Sequence, residues 1–167
     1  MTVAKLPIVN YVNGAPMGDF CAEIEIGDGN TAFVILDTGS STLAVWESAF
    51  GDAKTNATDC VQFVSYGTGH WAGPVKEAAV SLGGVEVSNG VIAQIQSGMY
   101  RGRKQFYPAD GILGLAYFTL NTAADVGQQD FPLSQYDSPQ EWTALLQKPN
   151  VQEKHLPPFF TQIEKQG

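Results

Sequence analysis

The chain has 167 residues, 44% of them hydrophobic and only 16% charged, with 17 Asp+Glu against 9 Lys+Arg for a formal net charge of -8. So large an apolar share excludes an intrinsically disordered chain, and its apolar runs are broken well short of the ~20 residues a bilayer-spanning helix needs. The acidic balance argues against nucleic acid or an anionic membrane as the main partner.

In chain order, the first two-thirds read as strands. In Phe20 to Ile26, Phe20, Ala22, Ile24 and Ile26 share one side only in part, while Glu23 and Glu25 face the other, the alternation of a half-buried strand. Gly27-Asp28-Gly29-Asn30 follows, rich in residues that tolerate positive φ. Thr31 to Leu36 is nearly all apolar, the pattern of a strand buried on both faces, so the two segments predict a hairpin. Val61 to Ser65 alternates again and runs through Tyr66 into the turn Gly67-Thr68-Gly69 and a return His70-Trp71-Ala72. Val75 to Leu82, Gly83-Gly84 and Val85 to Ile95 predict a further strand, tight turn and strand. Short strands at this spacing imply a mostly β, sandwich-like or barrel-like body.

From about Phe118 the texture becomes polar, and residues 119–138 read as a long surface excursion. Ser138 is a candidate N-cap, with Pro139 at the first helical position and Glu141 three residues on. Trp142, Leu145 and Leu146 then supply an apolar helical face, so a short helix is expected over 139–147. Pro157 to Ile163 resembles a second helix start. Cys21 and Cys60 are too few for a disulfide scaffold or an unaided zinc site. They either pair or remain two buried thiols, and the lack of other marks of an oxidising compartment favours thiols. No cofactor and no metal site is expected. Met1 is followed by Thr-Val-Ala-Lys-Leu-Pro and not by a basic n-region and an apolar h-region, which implies a cytoplasmic protein, or a secreted one if a leader has been removed.

The stretch that carries chemistry is Phe33-Val34-Ile35-Leu36-Asp37-Thr38-Gly39-Ser40-Ser41. A carboxylate leaves an apolar strand and at once enters a tight turn of small residues. The strand fixes Asp37, Thr38 and Gly39 let the backbone fold around it, and backbone N–H groups plus the Ser40 hydroxyl are placed to hydrogen-bond its oxygens. A preorganised, partly buried carboxylate of this kind suits general acid–base work.

With that stretch in hand, the chain resembles the N-terminal lobe of the pepsin-like aspartic proteases. The matching segments are Asp19 to Gly27, Phe33 to Ser41, Ser65-Tyr66-Gly67-Thr68-Gly69 and Asp110-Gly111-Ile112-Leu113-Gly114-Leu115-Ala116-Tyr117, in the family's order. The resemblance implies a mostly β acid-protease lobe, with double-psi, barrel-like sheets and two short helices near the C-terminus. It implies that Asp37 is the catalytic carboxylate, that Thr38 and Gly39 shape its loop and that Ser40 orients it. Tyr66 would be the tyrosine of a flap closing over a peptide or protein substrate, with Gly67 and Thr68 contacting that substrate. Ile35 and Ile112 would line subsites, a role that competes evenly with plain core packing.

Three departures stand out. The tryptophan that the family uses to hydrogen-bond the flap tyrosine is replaced by Ala44; Trp46, two residues on and on the same strand face, either substitutes for it or the link is lost. No cysteine pair flanks residues 47–55, and residues 118–156 form a long connection or insertion. Most important, no second Asp-Thr-Gly or Asp-Ser-Gly follows Gly39, although the family's chemistry needs two aspartates. The resemblance therefore implies one lobe, spanning 1–167, of a two-lobed endopeptidase whose C-terminal lobe is missing. The alternatives are a single-lobe protease completed by a second copy of the chain, and a non-catalytic binding or inhibitor module on the same fold. The run Arg101-Gly102-Arg103-Lys104 reads as a solvated loop.

Overall fold

The computed structural model describes residues 5–67, 69–116, 120–127 and 138–166. The elements are β1 (Ile8–Val12), β2 (Ala15–Ile26), β3 (Asn30–Asp37), β4 (Leu43–Trp46), β5 (Thr55–Tyr66), β6 (Gly69–Leu82), β7 (Val85–Ile95), β8 (Met99–Tyr100), β9 (Arg103–Lys104), β10 (Gly111–Gly114), β11 (Thr122–Asp125), α1 (Pro139–Leu146), β12 (Gln152–His155) and α2 (Phe159–Glu164), with a 3-10 turn at Glu47–Ala49. Ten strands form one sheet in the order β1-β2-β3-β10-β4-β7-β6-β5-β11-β12. An additional pairing joins β2 to β6, through Ile24↔Leu82 and Ile26↔Val80. Six strands, β2-β3-β10-β4-β7-β6, thereby close into a ring, the barrel-like body that the strand spacing predicts.

Alternation along the strands builds the core of that ring. Ala22, Ile24 and Ile26 of β2, Ala32 and Val34 of β3, Leu43 and Val45 of β4, Val80 and Leu82 of β6, Ile92 of β7 and Leu113 of β10 pack with Phe159 of α2 into one cluster. Glu23 and Glu25 face solvent as expected. Phe20 does not join its expected face and is 67% exposed, because pairing of β2 with β3 begins only at Cys21↔Ile35. β3 also departs from the expectation: Ala32 and Val34 are buried, whereas Phe33, Ile35 and Leu36 are only half-buried. On its second face Phe33 and Ile35 pack against the small cluster of Val12, Cys21 and Ala109, and Ile35 also borders an open cleft.

The segments 61–66 and 70–95 form longer strands than their turn residues suggest. β6 runs unbroken through Gly73 and Pro74, because Gly73 lies against the backbone of Gln94, where a side chain would collide. Cys21 and Cys60 are buried, unpaired thiols, lodged in separate clusters with Val12 and with Val75 respectively.

The C-terminal third is partly corrected. Residues 120–127 are not surface loop, since β11 pairs with β5 at Ala124↔Val61 and with β12 at Ala124↔Glu153, and Ala123 and Ala124 are buried. Four residues with one apolar side are too short a signal to distinguish from a loop. Most of the remaining excursion, 117–119 and 128–137, lies outside the described residues. α1 starts where expected: the Ser138 hydroxyl accepts from the Glu141 N–H at 3.3 Å and donates to the Glu141 carboxylate at 2.8 Å.

A buried polar knot ties this third to the barrel. Asn121 Oδ1 accepts from Thr42 Oγ1 at 2.9 Å and from Gln62 Nε2 at 2.8 Å, and Asn121 Nδ2 donates to the Pro157 carbonyl at 3.2 Å. Thr42, Gln62 and Asn121 are all nearly inaccessible to water. Asn121→Ala leaves the Thr42 hydroxyl and one Gln62 bond without an acceptor, and is expected to destabilise the fold by about 2–4 kcal/mol. Urea unfolding of the variant checks this; a loss under about 0.5 kcal/mol would mean that the knot is replaced by water.

Candidate active site

β3 ends at Asp37, and the chain then turns through Thr38, Gly39 and Ser40 into β4. Between these two strands lies β10, parallel to β3 at Leu113↔Leu36 and Gly114↔Asp37 and antiparallel to β4 at Ile112↔Ala44. Three backbone hydrogen bonds lace its end to the turn: Leu115 N–H to the Asp37 carbonyl at 2.7 Å, Ala116 N–H to the Ser40 carbonyl at 2.9 Å, and Gly114 N–H to the Thr42 carbonyl at 2.9 Å. At its other end, Asp110 accepts from the Phe33 N–H on Oδ2 at 2.9 Å, and its own N–H donates to the Phe33 carbonyl at 2.8 Å. β10 is thus fastened at both ends to the strand that carries Asp37.

The Asp37 carboxylate is half-buried, and its Oδ1 accepts from the Gly39 N–H at 2.8 Å. A Cβ on Gly39 would come to 3.2 Å from that same oxygen, so the close approach favours glycine. Ser40 does not orient the carboxylate as expected. Its hydroxyl is buried and makes no hydrogen bond among the described residues. The reason is the turn itself, which lays the Ser40 backbone against β10 at Gly114 and Ala116.

Asp37 lies in an open cleft of about 940 Å³, whose walls include Pro16, Met17, Ile35, Tyr66, Phe106, Tyr107 and Ile112. The structure therefore brings together Asp37, Tyr66, Ile35 and Ile112. Ile35 and Ile112 line the cleft and also pack into the apolar cluster beneath it with Trp46, Trp71 and Ile95. Gly67 is exposed on the turn after Tyr66; Thr68 lies outside the described residues.

Tyr66 is half-buried, not an exposed hairpin aromatic. Its ring meets Phe106 edge-on, with centroids 5.9 Å apart at 79°. Burial pushes its hydroxyl pKa above the ordinary tyrosine value, and the negative charge of Asp37 pushes in the same direction. A hydrogen bond opposes both: Trp71 Nε1 donates to the Tyr66 hydroxyl oxygen at 3.4 Å. The tyrosine's partner is therefore Trp71 of β6 and not Trp46, whose indole N–H donates instead to the Gln105 carbonyl at 2.8 Å.

Register explains the exchange of tryptophans. Tyr66 pairs with Gly69, so Trp71, two residues beyond Gly69, shares its sheet face and is its diagonal neighbour. The sequence contains this signal only once the hairpin register is known. Phe106 is one of the wall residues that sequence reading missed. Its φ of 72° is a left-handed value that costs a non-glycine residue of order 1–3 kcal/mol and clusters at functional sites.

Comparison with known proteins matches this geometry to a family. The model of the eukaryotic aspartyl protease family aligns with residues 19–153. The chain belongs to the aspartyl protease family. It is 30% identical to pepsin A of Callithrix jacchus over 140 residues, 72% of this chain and 34% of that protein. To pepsin A of Bos taurus it is 29% identical over 140 residues, 72% of this chain and 35% of that one. The fold is similar to the crystal structure of the aspartic proteinase from Irpex lacteus, with a TM-score of 0.53 and 24% identity over 67% of this chain and 31% of that one. This aspartyl protease chain thus spans about a third of the length of the curated relatives it matches.

Two outcomes follow for this aspartyl protease chain. The Tyr66 titration, followed by NMR, moves up in Trp71→Phe, which removes a hydrogen bond that favours ionisation, and moves down in Asp37→Asn, which removes a repelling charge. An unmoved midpoint in both variants would place Tyr66 away from these partners. Burial also raises the thiols of Cys21 and Cys60 above their ordinary value of 9.0. Groups that hold their protons more tightly when folded stabilise the fold below their unfolded pKa and lose that contribution as pH rises through the folded value. Under reducing conditions, stability to urea is expected to fall above about pH 9, with the first part of the fall absent from a Cys21→Ala/Cys60→Ala variant.

Proposed function

We propose that this chain supplies one half of a peptide-hydrolysing site, with Asp37 as one of two catalytic aspartates. The observation that carries the reading is the Asp37 carboxylate, held by the Gly39 N–H on the floor of a cleft that Tyr66 also lines. Two carboxylates brought close together cannot both ionise, so they share one proton. The ionised partner takes a proton from a water between them while the protonated one donates to the scissile carbonyl, and the water oxygen attacks the carbonyl carbon. Asp37 alone provides only one of these functions. The second aspartate comes from a C-terminal lobe, or from a second copy of the chain related by a two-fold axis.

In this reading Thr38 and Gly39 keep the carboxylate in place, and Tyr66, with Gly67 and Thr68 contacting substrate, closes over a bound peptide and excludes water. Ile35 and Ile112 take apolar side chains of the substrate. The hydrogen bond from Trp71 supports the reading, because it fixes the tyrosine ring without consuming the turn residues that would touch substrate.

Size-selected monomer is expected to leave a denatured protein substrate intact in mildly acidic buffer. Addition of a complementing lobe, or a rise in chain concentration if a second copy completes the site, restores hydrolysis, and Asp37→Asn abolishes it. Hydrolysis by chain shown to be monomeric, or hydrolysis that survives Asp37→Asn, would overturn the assignment.

A further inference from the structure

We propose that the cleft holding Asp37 selects peptides that carry acidic side chains, and that the hairpin Met99–Lys104 is the selecting element. The inference rests on the reading of the cleft as a peptide site and adds the charge of the peptide. This acidic chain has nine Lys+Arg, and three of them, including its only two arginines, fall at positions 101, 103 and 104. Sequence reading assigns such a run to a solvated loop; all four residues of the run, 101–104, are exposed, and three observations tie their charges to the cleft.

The first is place. Arg101, Arg103 and Lys104 line the same cleft as Asp37 and Tyr66. The second is rigidity. β8 and β9 pair at Met99↔Lys104 and Tyr100↔Arg103, and the two residues between them, Arg101 and Gly102, have φ of 50° and 77°. Two left-handed residues in a two-residue loop make the tight turn that matches strand twist, so the side chains project from a fixed ribbon. Each cation also rests on an aromatic ring: Arg101 over Tyr100 at 5.1 Å, Arg103 over Tyr107 at 5.3 Å, and Lys104 over Trp46 at 4.9 Å. Stacking uses the guanidinium face and leaves its edge N–H donors open for a carboxylate.

The third is vacancy of charge. Among the described residues, no carboxylate lies within ion-pair distance of any of the three; Lys154 to Asp125 at 3.8 Å is an ion pair elsewhere, between β12 and β11. Lys104 donates to Ser48 Oγ, at 3.4 Å. The cleft lining also carries the carboxylates of Asp19 and Asp37; in a chain of net charge -8, the three cations outnumber them there and make the hairpin side of the cleft its positive side. An acidic side chain beside Asp37 would be repelled, so the selected carboxylates sit toward the hairpin and away from the bond to be cleaved.

The sign of the salt effect makes this testable. The test measures, by fluorescence anisotropy at pH 7, binding of the 167-residue chain to two extended decapeptides that carry an uncharged dye. They have the same apolar centre and differ only in two flanking residues, Glu in one and Gln in the other. The Glu peptide is expected to bind about fivefold more tightly at low ionic strength, the worth of two exposed charge pairs. Added salt weakens its binding. In Arg101→Glu/Arg103→Glu, with an unchanged melting temperature confirming the fold, the preference disappears and added salt strengthens binding of the Glu peptide, because only the net negative chain then acts on it. Equal affinities, no binding of either peptide, or a preference that survives in the double variant would overturn the proposal. Asp37→Asn keeps the preference, which separates this inference from the catalytic one. Acidic preference without hydrolysis in any reconstituted pair would sink only the protease reading, and hydrolysis without preference only this one.

Discussion

Everything around Asp37 depends on how closely β10 passes between β3 and β4. At Gly111 a Cβ would run into the backbone of Ala44, and at Gly114 into the backbone of Ser40 and Ser41. Neither neighbour is a flexible side chain that could swing aside. Glycine at both ends lets one strand lie against two others that diverge at the turn, and the bonds from Gly114, Leu115 and Ala116 then lock the turn. The carboxylate is held less by its own hydrogen bond than by a backbone that has no alternative path. Rigidity of this kind is what a catalytic group requires, because a misplacement of about 1 Å costs orders of magnitude in rate.

Around this fixed centre the cleft is built from elements of different stiffness. The floor belongs to the closed ring, where Ile35 and Ile112 continue into a cluster with Trp46, Trp71 and Ile95. The upper wall is the end of the β5–β6 hairpin, beyond which only a turn remains. Trp71 spans the two: its ring is wholly buried in the floor cluster, while its N–H reaches the Tyr66 hydroxyl. The tyrosine is thus referred to the core of the barrel and not to the loop in which it sits. Trp46 does the same on another side, since its N–H holds the Gln105 carbonyl and its ring carries Lys104.

What the sequence revealed and what it concealed divide along the range of the interactions. The Asp37 loop was legible because its chemistry is local: an apolar strand, a carboxylate and small turn residues within nine positions. The helix cap at Ser138 was legible for the same reason. The partner of Tyr66 was not, because it depends on hairpin register, and a reading by position along β4 favours Trp46. The role of Ser40 was misread, since residue type suggests a hydroxyl aimed at the carboxylate, whereas the crossing of β10 decides where it points. β11 and β12 were hidden by their shortness and polarity; β11 is a strand because β5 offers it an edge, and β12 because β11 does. Arg101 and Arg103 looked like any charged turn until long-range packing set that turn on the cleft.

Closure of the six-stranded ring has a topological consequence for self-association. Strands inside a ring have no unpaired backbone edge, so in the ten-stranded sheet the free edges fall to β1 and β12. These two are unequally guarded. β12 presents Glu153 and Lys154 on a wholly exposed strand, and such charges deter a foreign strand from docking. β1 reads Ile-Val-Asn-Tyr-Val, with Ile8 58% and Tyr11 60% exposed. It has no charge of its own and a partner, β2, on one side only. Of the described strands, β1 is therefore the receptive edge, where backbone hydrogen bonding from another polypeptide meets neither a charge nor a neighbouring strand.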